Sequence, residues 1–124
     1  MLEDVKQRLE WLGYTIVDGD DWLLGFIITK VQNYIKNYCN INAVPKGLRE
    51  VAVDMVVGEF LQGKKAMNQL SSIEMEAVVK SVQDGDTTVT FATETSTEQK
   101  FAALTSSMMN PAQSCFIRYR KLVW

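Results

Sequence analysis

Carboxylate residues occur at two places in this chain with spacings that could support chemistry. Asp18, Asp20 and Asp21 crowd into one short stretch, a density that occurs in Ca²⁺-binding loops. This stretch lacks the length and the closing Glu of such a loop, so capping of a following helix by Asp20 or Asp21 explains it better. Glu50 and Asp54 lie one helical turn apart and could form a carboxylate pair. They fit better as the solvated edge, or an interface ion-pair partner, of an apolar helix.

The sequence contains no histidine, which removes the commonest general base and the most frequent transition-metal ligand. It also contains no glycine-rich phosphate loop followed by Lys and Ser or Thr. We therefore expect no catalytic residue, no metal site and no cofactor. The enzymatic alternative is a metal-dependent nuclease, in which the carboxylates above would converge on Mg²⁺ or Mn²⁺.

The C-terminal stretch CFIRYRKLVW, residues 115–124, mixes aromatic, aliphatic and cationic residues. Chain termini are usually polar and poorly ordered, so this composition is unusual. The whole chain has a net charge of −2, and the remainder without Arg118, Arg120 and Lys121 carries −5. Positive charge is thus concentrated at the C-terminus.

Three uses of this terminus are open. As a strand of its own domain it would place Phe116, Arg118, Arg120, Leu122 and Trp124 on one face, which cannot be buried without anionic partners. Its rings and cations suit single-stranded nucleic acid, but three cations on an acidic protein of pI 5.1 neutralise few phosphates. Docking on a partner protein is favoured, because aromatic residues and Arg are the enriched anchors of interfaces.

Apolar periodicity predicts four helices in a single domain of 124 residues. The first covers residues 2 to about 12, and the second follows Asp20 or Asp21 and continues to about residue 39. The third begins at Pro45 and contains the segment 48–61, which is apolar around most of its circumference. Such a helix lies either at the centre of the domain or in an interface with another subunit. The fourth begins with the capping-box pattern Ser96–Gln99 and ends before Pro111.

A β-hairpin is predicted at about residues 75–92. Val78, Val79 and Val82 precede the turn signal Gln83-Asp84-Gly85-Asp86, and the alternating segment Thr88-Val89-Thr90-Phe91 follows it. The expected fold class is therefore mainly α: a small bundle of about four helices with one β-hairpin and an extended C-terminal tail. Residues 1–113 would form the helical domain and residues 114–124 the tail.

The two cysteines and the N-terminus indicate a reducing compartment. Cys39 and Cys115 lie far apart in the sequence without metal-ligand spacing, so we expect two buried free thiols. The N-terminal segment MLEDVKQRLEW lacks an apolar signal core, and no run reaches the roughly 18 residues that span a bilayer. Synthesis and retention in the cytoplasm are expected, with no membrane partner.

The order of these parts resembles the head–tail connector family, the small head-completion adaptors of long-tailed double-stranded DNA phages and related prophages. The similarity extends over almost the entire chain. The residues that carry it are Asp21-Trp22-Leu23-Leu24 with Ile27 and Ile28, the run YIKNYCN at 34–40, Val44-Pro45 with Leu48, Val51 and Ala52, Lys80-Ser81-Val82 with Gly85-Asp86, Val89-Thr90-Phe91, and Arg118-Tyr119-Arg120 with the terminal Trp124.

The resemblance implies a structural virion protein at the head–tail junction. Copies would form a ring of about twelve subunits with heterologous interfaces, extend the DNA channel below the portal protein and receive the stopper or tail-completion protein. Glu50, Asp54 and Val57 are expected in the ring interface, and Gln83, Asp84, Gly85 and Asp86 would face the channel or the stopper. The expected portal-binding residues are Phe116, Arg118, Tyr119, Arg120, Lys121, Leu122 and Trp124.

The main alternative is a small helical DNA-binding protein of phage or prophage origin. It predicts a dimer instead of a large ring, and salt-dependent DNA binding through Arg118, Arg120 and Lys121. The connector interpretation predicts no specific nucleic-acid partner.

Overall fold

The computed structural model describes residues 1–85, 96–111 and 114–120. Within these ranges the chain is helical and contains no β-strand. Five helices and one short helical turn follow in order: α1 (Leu2–Trp11), α2 (Asp20–Cys39), α3 (Arg49–Ala66), α4 (Ser72–Gly85), α5 (Thr97–Met109) and the turn α6 (Ser114–Ile117). The mainly-α class is confirmed.

The first two helices form where the apolar stripes predict them. Val5 and Leu9 of α1 are fully buried, and the helix ends before Gly13, whose φ of +94° is left-handed. In α2 the buried stripe is Leu24, Ile27, Ile28, Val31, Ile35 and Cys39. This helix ends at Asn40, which adopts the left-handed conformation with its N–H bonded to the Lys36 carbonyl.

The third helix lies at the centre of the domain and packs against α1, α2 and α5. A 3₁₀ turn, Lys46–Leu48, precedes it, so Pro45 lies one residue before that turn and not at the first residue of the α-helix. Val56, Val57, Phe60 and Leu61 are all fully buried. A chain of this size therefore does surround an apolar helix by itself, and the prediction that Val57 lies in a ring interface is wrong.

The predicted hairpin is wrong for residues 75–85, which form most of α4. Met75, Val78 and Val79 are buried and Val82 is half-buried, and this spacing of three and four is a helical stripe. Ser71 caps the helix, since its hydroxyl accepts from the Glu74 N–H at 3.1 Å. Gln83, Asp84 and Gly85 lie at the C-terminal end of α4, whereas Asp86 and the remaining hairpin residues to 92 fall outside the described residues.

The helix α5 begins at the capping box that the sequence predicts. The Ser96 hydroxyl accepts from the Gln99 N–H, and the Gln99 side chain accepts from the Ser96 N–H, both at 3.2 Å. This helix packs closely on α3 at Gly58, where an added Cβ would lie 2.8 Å from the Thr105 carbonyl oxygen. Gly58 is thus required by the close approach of the two helices.

The start of the predicted extended tail is helical, because residues 114–117 form α6. An extended conformation is therefore wrong for these residues, and Lys121, Leu122, Val123 and Trp124 lie outside the described part of the chain. None of the helices in the described ranges has both the length and the apolar character that crossing a bilayer requires.

Candidate docking site

The C-terminal segment, residues 114–120, docks on its own domain through Phe116. This ring is only 2 % exposed, and its centroid lies 5.4 Å from that of Tyr38 and 6.4 Å from that of Tyr34. The carbonyl of Phe116 accepts a hydrogen bond from the Cys39 thiol, with an S···O distance of 3.8 Å. Phe116 is therefore an anchor within its own subunit, and in this conformation its buried ring is not accessible to the portal, where the sequence prediction placed it.

Two further residues of the segment contact the same domain. The hydroxyl of Tyr119 lies so close to Gly47 that an added Cβ there would be 1.7 Å away from it. The guanidinium carbon of Arg120 lies 5.4 Å from the Tyr38 ring centroid, a cation–π contact. The absence of a side chain at Gly47 and the aromatic surface of α2 thus together define where the segment docks.

The opposite side of the segment faces solvent. Ile117 is 64 % exposed, and Arg118 and Arg120 are also exposed. Of the predicted portal-binding residues in the described ranges, Arg118 and Arg120 are therefore accessible, Tyr119 is half-buried and Phe116 is buried. The docked segment presents an apolar side chain next to positive charge.

Beneath Phe116 the thiol of Cys39 is fully buried and is not in a disulfide. Burial raises the pKa of this thiol above its usual range, and the nearby Arg120 charge offsets only part of that effect. Because the thiolate is the reactive form, a buried thiol with a raised pKa is expected to react slowly. The side chain of Cys115 lies outside the described residues.

A cavity of about 380 Å³ lies beside Phe116. Residues from α2, α3 and the end of α5 line it: Lys30, Val31, Tyr34, Met55, Glu59, Met109, Asn110, Pro111 and Phe116. Lys30 and Glu59 form an ion pair within this lining. Phe116 therefore forms one wall of a cleft of mixed polarity that also contains a charged pair.

The outer surface of α2 carries a feature that the sequence interpretation missed. Trp22, Phe26, Tyr34 and Tyr38 follow one another at multiples of four residues, with Lys30 between the two pairs, so they form one row along the helix. The Trp22 and Phe26 rings stack with centroids 6.0 Å apart, and those of Tyr34 and Tyr38 stack at 6.1 Å. We call this row the aromatic ridge. The repeat of four in the sequence is the signal that could have found it.

The two remaining predicted ring-interface residues lie along a groove between α1 and α3. Glu50 is exposed, whereas Asp54 is half-buried and its Oδ1 lies 3.4 Å from the Nε of Arg8. The groove has a volume of about 660 Å³ and also contains Trp11, over which Arg8 lies at 5.2 Å from the ring centroid. Burial raises the pKa of Asp54 above its ordinary value, and the Arg8 charge lowers it only in part.

The acidic stretch does not form a cation site. Asp20 is buried, and its Oδ1 lies 2.6 Å from the Nζ of Lys64, while its Oδ2 accepts from the Tyr14 hydroxyl at 2.8 Å and the Val17 N–H at 3.0 Å. Asp21 pairs with Lys6 at 2.8 Å. The predicted capping role is also wrong, because Gly19 precedes α2 and both aspartates lie in its first turn.

Within the described ranges, no three Cys, Asp or Glu side chains converge as metal ligands would. The carboxylates that the sequence suggested for chemistry are instead distributed between a buried ion-pair network, a surface ion pair and the groove between α1 and α3.

No family model, no curated protein and no solved structure matches this chain. The resemblance to phage connectors therefore rests on the residues quoted from the sequence, and the docking site rests on the geometry of this molecule.

Proposed function

We propose that this chain is a structural adaptor, a subunit of the ring at the head–tail junction of a long-tailed phage or prophage. It assembles with copies of itself, docks on the portal protein and extends the DNA channel toward the stopper or tail. The function is one of assembly, with no chemical step.

The observation that carries this proposal is that one molecule exposes two surfaces typical of protein interfaces: the N-terminal half of the aromatic ridge and the outer side of the C-terminal segment. The N-terminal half of the ridge is open, with Trp22 75 % and Phe26 60 % exposed, and the docked segment displays Ile117, Arg118 and Arg120. Single exposed apolar residues are ordinary, but stacked aromatic rings and arginines are typical anchors of protein interfaces. A protein with these surfaces is suited to being covered by other proteins.

The state of the carboxylates supports this function over the metal-dependent nuclease. A nuclease that uses one or two metal ions needs carboxylates that are not already paired with cationic side chains, so that they can bind the metal. Asp20, Asp21 and Asp54 each lie beside a cationic side chain of the same chain. Binding of Mg²⁺ or Mn²⁺ by them would require these ion pairs to be broken.

We assign the portal contact to Arg120, which stays exposed although it lies on Tyr38, and to Lys121, Leu122 and Trp124, because Phe116 is buried and Tyr119 half-buried in their own domain. Arg120 can hold its place on Tyr38 while the residues after it extend toward the portal, because the anchor at Phe116 precedes them. Extended aromatic–basic segments bind partners by adding to sheet edges or by filling pockets.

The test removes residues 121–124 and leaves the anchored part of the segment in place. We expect this truncated chain to keep the helical circular dichroism of the full chain and to lose copurification with the portal protein of the same phage or prophage. The substitution Ile73→Ser is a matched control, because Ile73 is an apolar residue of α4 that is 79 % exposed and does not line the cleft beside Phe116. Undiminished copurification of the truncated chain would contradict the assignment of the portal contact.

A further inference from the structure

The two halves of the aromatic ridge are in different states. The C-terminal half, Tyr34 and Tyr38, contacts Phe116 and the Arg120 guanidinium of the same chain, although Tyr34 remains 51 % exposed. The N-terminal half, Trp22 and Phe26, is exposed. The contacts at this C-terminal half show the chemistry that the ridge accepts, which is an apolar side chain followed by a cation.

Acidic residues border the open half. Asp18 and Asp21 precede Trp22 in the sequence, and both are exposed at the N-terminal end of α2. The Asp21 side chain remains 64 % exposed although it pairs with Lys6. This end of α2 therefore presents two stacked rings and, close to them in the sequence, two exposed carboxylates, of which Asp21 is paired with Lys6.

The outer side of the C-terminal segment has the complementary character. Ile117 is 64 % exposed and Arg118 follows it, so an aliphatic side chain lies next to an exposed positive charge. The segment docks at Tyr38, sixteen residues after Trp22 along α2, which is about 24 Å at the rise of an α-helix. One copy cannot bring its own Ile117 and Arg118 onto its own Trp22 and Phe26 while the segment stays docked.

We propose that Ile117 and Arg118 of one copy pack on Trp22 and Phe26 of the next copy. The occupant of the open half is thus the docked C-terminal segment of a second copy of this chain. The aliphatic side chain covers the rings, and the guanidinium lies near Asp18 and Asp21 or over a ring face. This contact rests on the proposed function, for which it supplies the ring interface that Val57 does not.

The two patches are different surfaces at opposite ends of α2, so the contact is heterologous. Each subunit uses one patch for the preceding copy and the other for the following copy, which generates a ring where the rotation closes. Assignment of Ile117 and Arg118 to the neighbour leaves residues 120–124 for the portal. The same segment then binds the neighbouring subunit through Ile117 and Arg118, and the portal through the residues that follow.

The contact is small, which predicts weak association in solution. Two aromatic side chains bury about 150–250 Å² each, far below the roughly 1,200 Å² of a stable interface. The proposed association therefore appears in solution at about 1 mM protein. On the portal, where each subunit is held in place and the effective concentration rises, it forms at lower concentration.

Two full-length variants test the junction, each lacking one side of it. The variant Trp22→Ser with Phe26→Ser keeps the C-terminal segment but loses the rings on which a neighbouring segment would pack. The variant Ile117→Ser with Arg118→Ser keeps those rings but loses the side chains that would pack on a neighbour. In sedimentation velocity up to about 1 mM protein, each variant alone should be monomeric. Their equimolar mixture should form a one-to-one heterodimer and nothing larger, because only one complete junction is available.

The unaltered chain and the Ile73→Ser control should form larger species under the same conditions, and added salt should weaken them as it screens the charged part of the contact. A mixture that sediments as two monomers would overturn the proposed junction. Self-association of either double variant at the level of the unaltered chain would overturn it as well.

The outcome is separable from that of the proposed function. If both double variants still form complete rings on the portal protein, the junction is wrong and the adaptor function stands. If the heterodimer forms but neither the unaltered chain nor any variant binds the portal, the contact stands and the connector function is wrong.

Discussion

Asp20 and Lys64 form a buried ion pair that joins the start of α2 to the end of α3. The carboxylate Oδ1 lies 2.6 Å from the ammonium Nζ, and the two side chains are 1 % and 9 % exposed. Tyr14 and Val17 donate to the second carboxylate oxygen, and Lys64 also donates to the Gln69 side chain at 3.0 Å. In the described part of the chain, no buried side-chain polar atom lacks a hydrogen-bond partner. This network fixes the position from which the aromatic ridge begins.

Asp20→Ala should destabilise the domain by about 3–5 kcal/mol, because it leaves the Lys64 ammonium buried without its counter-charge. The double variant Asp20→Asn with Lys64→Met should cost less than Asp20→Ala, since neither charge then remains buried alone. Urea denaturation followed by circular dichroism measures both. The exposed pair of Arg49 and Asp4 is the matched control, and its loss should cost less than about 1 kcal/mol. Equal effects at the two pairs would show that the buried network has no special role.

The same network predicts the direction of acid denaturation. Burial opposes ionisation of Asp20, but the bonds from Lys64, Val17 and Tyr14 outweigh it and hold the pKa of that carboxyl below its ordinary value. The stabilisation is therefore complete above the unfolded pKa of about 3.9 and is lost as the pH falls through the lower folded value. Stability measured against pH should decline in this window for the unaltered chain. In Asp20→Asn this part of the decline should be absent.

Asp54→Asn should leave the domain as stable at pH 7 as the unaltered chain, or more stable. Burial holds the pKa of the Asp54 carboxyl above its ordinary value despite Arg8, so ionisation at neutral pH costs folding free energy. The folded state takes up this proton before the unfolded state does, so the cost begins to fall at the raised folded pKa and is gone below the unfolded pKa. Chemical denaturation at several pH values should show this dependence only in the unaltered chain. Marked destabilisation of Asp54→Asn at pH 7 would instead mean that the pair with Arg8 dominates.

Gly58→Ala should destabilise the contact between α3 and α5. An added Cβ would lie 2.8 Å from the Thr105 carbonyl oxygen and 2.9 Å from the Met109 side chain, so the helices must separate. A cost of about 1–3 kcal/mol is expected, as for other overpacked sites. Gly63→Ala in the same helix is the control, because nothing lies within 4 Å of its added Cβ. That variant should be neutral, or stabilising by up to about 1 kcal/mol, in the same thermal or urea unfolding experiment.

Phe116→Ala should release the C-terminal segment without unfolding the rest of the domain. The expected loss is the burial free energy of the ring, about 1.5–3 kcal/mol, because a terminal element can detach without leaving a central cavity. The second readout is the rate at which a thiol-reactive reagent labels Cys39, measured with Cys115→Ser as the background so that only one thiol reacts. Labelling should be much faster in Phe116→Ala, since Phe116 lies over the Cys39 thiol. Ile117→Ala is the control, because that side chain is 64 % exposed, and its labelling rate should not change. Equally slow labelling in Phe116→Ala would show that the segment does not shield Cys39.

Much of the fold follows from local signals in the sequence. Helical stripes predicted α1 and α2, and the capping box of Ser96 and Gln99 predicted the start of α5. The error at α4 has a local cause, because Val78, Val79 and Val82 are β-branched and precede a Gly-Asp pair that is typical of turns. The competing signals were Ser71 with Glu74 and the helical spacing from Met75 to Val82. Packing of α4 against α5 satisfies that helical stripe.

The docking site was only partly predictable, because its parts are far apart in the sequence. The composition of residues 115–124 indicated a docking function, but the anchor position of Phe116 depends on Tyr38 and Cys39, which only the tertiary structure brings together. Asp20 illustrates the same limit, since Lys64 is distant in sequence and no local pattern reveals that they pair. The open rings of Trp22 and Phe26 were within reach of sequence analysis, because their spacing of four places them together on one face of a helix.

Electron microscopy of the purified full-length chain mixed with the portal protein of the same phage or prophage tests the central claim most directly. The account predicts an added ring of this chain, coaxial with the portal and continuous with its channel, that is absent when residues 121–124 are removed. Portal particles that remain bare at saturating concentrations of the full-length chain would contradict it.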